Sequence, residues 1–157
     1  MQVSARRFAL LLAALAATVL CLAAVVPARA SLGQARASID ADVTHFKARL
    51  RSTASTTYTV HELTADGGMV TREYTNGSGV VFAVSWDGPA RPDLQQLFGA
   101  YFPRFQADVH TRARLRRALR ADDIDFVVRT GGHPGHMWGY ALLPDQVPQG
   151  FSTGGLQ

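Results

Sequence analysis

Val80-Val81-Phe82-Ala83-Val84-Ser85-Trp86, closed by Asp87-Gly88-Pro89, is the stretch that most limits what this chain can become. Strand side chains alternate between two faces, so the run sets Val80, Phe82, Val84 and Trp86 on one face. Gly88 and Pro89 end it, because Gly tolerates turn geometry and Pro has no N–H for a ladder. Pro92 and Asp93 then open a helix in which Leu94, Leu97, Phe98, Tyr101, Phe102 and Phe105 recur at spacings of three and four. That stripe matches the strand face, and such spacing marks core packing rather than an aromatic ligand platform. Pro103 is predicted to kink the helix or split it in two.

The flanking segments supply the rest of the domain. Ser38 is placed to cap a helix carrying Ile39, Val43, Phe46 and Leu50 on one face, with Asp40 and Asp42 in its first turn and Lys47, Arg49 and Arg51 in its last. Ser52 to Thr57 is small and hydroxylated, which predicts a loop. Tyr58–Thr64 and Met69–Thr75 flank Asp66-Gly67-Gly68 as a hairpin; a three-residue turn sets Glu62 opposite Arg72 and His61 opposite Glu73. Asn76-Gly77-Ser78-Gly79 joins the second strand to the Val80–Trp86 strand, giving a three-stranded antiparallel meander. Thr111 to Arg120 favours helix and Asp122-Asp123 breaks it. Ile124–Arg129 and Met137–Leu143 are predicted strands around the turn Gly131-Gly132-His133-Pro134-Gly135. The fold class is therefore α+β, with an N-terminal helix, a meander, a long or kinked helix and a C-terminal hairpin, the helices on one sheet face.

The N-terminus reads as an export signal. Arg6 and Arg7 precede an apolar run from Phe8 to Val26, broken only by Thr18, and Pro27-Ala28-Arg29-Ala30 places Ala28 and Ala30 at the two positions a signal peptidase reads. The competing reading is a retained anchor, since the run approaches the ~20 residues that span a bilayer. The paired arginines are out of register with a twin-arginine signal, and Cys21 lacks the small-residue context of lipoprotein processing. Cleavage takes three of the sixteen Lys and Arg and none of the twelve acidic residues, leaving a net charge near +1. The basic character is then partly the signal's, and nucleic acid is not an expected partner. The expected organisation is a signal at 1–30, a flexible lead-in at 31–37, one domain at 38–143 and an irregular tail at 144–157, with no transmembrane segment and no cysteine after cleavage.

Tyr58-Thr59-Val60-His61-Glu62, Thr71-Arg72-Glu73-Tyr74, the run from Gly79 to Pro89, Pro92-Asp93-Leu94 and Leu97-Phe98-Gly99-Ala100-Tyr101-Phe102 together resemble DUF2844, a family of small exported bacterial proteins classed as a domain of unknown function. Phe126-Val127-Val128 and Gly131-Gly132-His133 continue the likeness, which covers nearly all of the mature chain. The resemblance implies a periplasmic or secreted location and one compact domain, and supplies no activity. Pro103 and the arginine-rich segment depart from the family pattern.

Candidate chemistry is sparse. His133 and His136, two residues apart, can reach a metal from a turn, with His61 beside Glu62 or Glu73 as a distant third ligand. The plainer reading is a Gly-rich turn with exposed histidines, and no cofactor is expected. There is no Gly-x-Ser-x-Gly elbow, and Ser52, Ser55, Ser78 and Ser85 have no neighbouring base in sequence. Asp122, Asp123 and Asp125 are candidates for acid/base work, but they follow an arginine-rich segment, and the simpler reading is helix termination and local charge balance. Arg112, Arg116 and Arg120 form an i, i+4 stripe suited to an anionic envelope surface or an acidic envelope protein, or to simple solvation. Trp138 and Tyr140 share a strand face and form a binding surface if that face of the sheet is open. The reading favoured is an exported, non-catalytic binding module; the alternative is a small hydrolase or metal-dependent enzyme built on His133, His136 and His61.

Overall fold

The computed structural model describes residues 32–112, 120–122 and 125–156. The expected cleavage residues Ala28 and Ala30, together with Arg116, Asp123 and Ile124, lie outside them. The elements are α1 (Ile39–Phe46), β1 (Ala48–Ala54), β2 (Tyr58–Ala65), β3 (Val70–Asn76), β4 (Val81–Gly88), α2 (Leu94–Phe98), α3 (Phe102–Arg112), β5 (Arg120–Asp122), β6 (Val127–His133) and β7 (His136–Leu142). The strands form one seven-stranded antiparallel sheet in the order β1-β2-β3-β4-β7-β6-β5. Two meanders are thus joined where the last strand docks beside β4.

The β2–β3 register is the one the charges dictate, with Glu62 opposite Arg72 and His61 opposite Glu73. α1 is shorter than its apolar spacing predicts. Lys47 takes a left-handed conformation (φ 50°) that ends the helix, and the chain reverses into β1, so Arg49, Leu50 and Arg51 stand on an edge strand. The meander therefore has four strands, and the first half of the stretch read as a loop, Ser52–Ala54, continues β1. Ser38 does not cap the helix through its side chain; it is buried in a 3₁₀ turn. The aromatic helix does split. A 3₁₀ turn at Gly99–Tyr101 separates α2 from α3, and Pro103 sits in the first turn of α3, where its missing N–H is harmless.

The β4 alternation is broken by a bulge. Tyr74 faces Ala83 and Thr75 faces Val81, so Phe82 is an extra residue in the ladder. Val84 and Trp86 keep the helix face expected of them and Val81 joins them there, while Phe82 turns to the opposite one. On the helix face Trp86 packs with Phe98 (ring centroids 5.8 Å), which also meets Phe105 and Phe126, as core spacing requires.

The opposite face is not open. The tail, expected to be irregular, makes two short 3₁₀ turns and lays Val147, Phe151 and Leu156 across the sheet. Phe151 meets Phe82, Tyr58 and Tyr74 edge-on at 4.8, 5.1 and 5.7 Å. The lead-in is also fixed. Leu32 is buried, Gly33 N–H donates to the Val81 carbonyl at 2.8 Å, and Ala35 bridges Val80. Both ends are held because the bulge leaves apolar surface and free ladder groups around Val80–Phe82 for them to satisfy.

Candidate functional site

Strand order decides which polar side chains meet. With β7 beside β4, Arg72 lies opposite Ser85, Ser85 opposite Tyr140, and Asp87 opposite Trp138, all on the face the tail covers. The tail reaches this end of the sheet through Leu156. Arg72, Ser85, Trp86, Asp87, His136, Trp138 and Leu156 line a groove of about 240 Å³ there. Its polar groups are held by neighbours: Arg72 Nε donates to Glu62 Oε2 at 2.8 Å, and His136 Nε2 donates to Asp87 Oδ2 at 2.9 Å. Trp138 forms one wall by lying over Gly131, where any β-carbon would stand 2.6 Å from its ring. Trp138 is half-exposed, but Tyr140 is only 5% exposed under the tail, which closes the face that the pair needed as an open platform. Arg72, Ser85 and Asp87 belong to the same face by alternation, a link visible only once β4 and β7 are known to be neighbours.

A second constellation is buried on the helix face. Asp42 of α1 and Glu73 of β3 are both 0% exposed and lie close enough to share a hydrogen bond once one of them carries a proton. Gln96 Nε2 donates to Asp42 Oδ1 at 2.7 Å. Burial raises both acids; Glu73, further disfavoured as an anion by the charge on Asp42, is pushed up to about 9. Ionised together, they would leave Asp42 Oδ2 and both Glu73 oxygens without donors, so the pair holds one proton between them.

Beside it, Ser52 Oγ is 2.8 Å from His61 Nδ1, and His61 Nε2 is 3.0 Å from Thr75 Oγ1. Ser52 thus has the neighbouring base its sequence context lacks. His61 is 1% exposed and kept neutral, first by burial and then by the charge of Arg36. The contact satisfies a buried imidazole, and Ser52 does not line the Trp138 groove.

The three histidines do not converge. His133 and His136 face each other across the Pro134-Gly135 turn, whereas His61 lies on the opposite sheet face and on β2, three places from β7. Among the described residues no group of three or more His, Cys, Asp or Glu is placed to hold a metal ion. Arg112 ends α3 and Arg120 opens β5, so they belong to different elements rather than one helical stripe. Asp125 is gripped by Arg104 through two hydrogen bonds of 2.9 and 2.7 Å, which hold its carboxyl below the usual range. No helix among the described residues is long and apolar enough to cross a membrane.

A seven-stranded antiparallel sheet with helices on one face and its own C-terminal tail on the other defines an α+β domain. Residues 28–156 match the family described as Protein of unknown function (DUF2844), and the chain belongs to it. No curated protein and no solved structure matches the chain.

Proposed function

We propose that this chain is an exported envelope protein that acts as a non-catalytic binding module, with the Trp138 groove as its ligand site. The observation that carries this reading is the groove's composition: a half-exposed indole wall beside Arg72, Ser85, Asp87 and His136. An indole stacks on the apolar face of a ring, and a rim holding both donors and acceptors suits the hydroxyl edge of a sugar. Three adjacent strands present these groups, so little ordering is needed on binding. The volume, about 240 Å³, suits a single ring rather than an extended chain. An Ala28/Ala30 cleavage site after the apolar run supports export to the compartment where envelope saccharides are found.

The test is titration of the purified protein with N-acetylglucosamine oligomers, followed at the indole N–H resonances. Trp86 also borders the groove but is only 2% exposed, so it offers a bound sugar far less contact than Trp138. The reading predicts a saturable shift that is larger at Trp138 than at Trp86, with affinity weakened at least tenfold in Arg72→Ala and Asp87→Asn. A Trp138 resonance that stays fixed at millimolar sugar would refute the saccharide assignment.

A further inference from the structure

We propose that His133 and His136 form a two-imidazole site for a divalent transition-metal ion such as Zn²⁺ at the tip of the β6–β7 hairpin, with Asp87 as the positioning residue behind His136. The two histidines are a directly opposed pair across the two-residue turn, and their ring centroids are 5.9 Å apart. Both are exposed, and the centroid separation is compatible with one nitrogen of each ring coordinating a common ion at about 2.1 Å.

The hydrogen bonds around the rings point to a metal more specifically than the pairing does. His136 Nε2 is 2.9 Å from Asp87 Oδ2, and a carboxylate oxygen only accepts, so Nε2 carries the hydrogen and Nδ1 keeps its lone pair. His133 Nδ1 is 3.1 Å from the Pro134 carbonyl oxygen, so Nδ1 carries the hydrogen and Nε2 keeps its lone pair. Each imidazole therefore spends its N–H on a carboxylate or a backbone carbonyl and leaves one nitrogen free. That is how metal-binding histidines are oriented by the groups behind them. Water or an incoming ligand completes the coordination, which suits a borderline ion that accepts nitrogen and oxygen donors. His45 is a built-in comparison: its Nε2 meets Asp93 Oδ2 at 3.2 Å in the same manner, and its ring contact among the described side chains is with Phe46 rather than with a second imidazole.

The experiment is a Zn²⁺ titration of the exported protein, isolated without a polyhistidine tag and followed by calorimetry and by ¹⁵N resonances of the histidine rings. One Zn²⁺ per chain is expected, with the largest changes at His133 Nε2 and His136 Nδ1. His133→Ala and His136→Ala should each weaken binding at least tenfold, and His45→Ala should leave it unchanged. Asp87→Asn should weaken it by about 10- to 100-fold at the same stoichiometry. Zn²⁺ that leaves both rings unperturbed, or that binds the His133→Ala/His136→Ala double variant as tightly as the parent, overturns the assignment. Retention of full affinity in Asp87→Asn overturns the positioning role.

Discussion

Asp42 and Glu73 face each other across the junction of α1 and the sheet as two fully buried carboxyl groups that hold one proton between them. The folded chain keeps that proton to about pH 9, whereas an unfolded glutamate releases it near 4.5. Between those limits the folded state binds one more proton than the unfolded state. Stability therefore falls as pH rises, by about 1.4 kcal/mol per pH unit from this pair. Glu73→Gln removes the titration and keeps a donor for Asp42. Urea unfolding at pH 6, 7 and 8 should show the variant gaining on the parent by about that slope; parallel pH profiles would show that no proton is shared.

Gly139 lies directly opposite Trp86, and a β-carbon there would stand 2.2 Å from the indole and 2.7 Å from the Arg129 carbonyl oxygen. Gly139→Ala should cost about 3 kcal/mol through overpacking. Much of the clash is with the Trp86 ring, so the double variant Gly139→Ala/Trp86→Leu should lose at least about 1 kcal/mol less than the two single losses combined. Strict additivity in thermal unfolding would show that the ring does not rest on this glycine.

The tail can be tested through Phe151, which wedges among Phe82, Tyr58 and Tyr74. Phe151→Ala should destabilise by about 2–3 kcal/mol, below the usual cost of a fully buried ring because Phe151 is partly exposed. Protease cleavage between 144 and 156 should accelerate in the folded variant, since the tail loses its anchor. If cleavage stays at the parent's rate, the tail is held by other contacts.

Local signals were read well where one rule acted alone. The alternation and opposite charges of Tyr58–Thr64 and Met69–Thr75 specify their register, and the stripe from Leu94 to Phe105 specifies its buried face. Reading failed where tertiary packing overrode local preference. Nothing in Phe82 itself announces a bulge, yet one inserted residue moves its ring to the other face and creates the cluster that recruits the tail. The groove is half visible in the sequence: Trp138 stands out, but its partners Arg72, Ser85 and Asp87 come from β3 and β4, and the docking of β7 beside β4 is a long-range step that no local pattern encodes.

The misplaced end of α1 has its own test. Spacing carries the helix to Leu50, but Lys47 adopts φ 50° and ψ 44°, a conformation that costs most residues with a β-carbon about 1 kcal/mol. The chain accepts this because the reversal lets β1 pair with β2 over seven residues, from Ala48 opposite Ala65 to Ala54 opposite Thr59. Gly occupies the left-handed region without that penalty. Lys47→Gly should therefore stabilise the protein by about 0.5–1 kcal/mol and raise its Tm by about 3 °C. Lys47→Asn should fall between the two, and β-branched Lys47→Val should lower the Tm. A Lys47→Gly variant that melts at or below the parent's temperature would show that the helix does not end in a left-handed residue, and the edge strand would then need another reason to begin at Ala48.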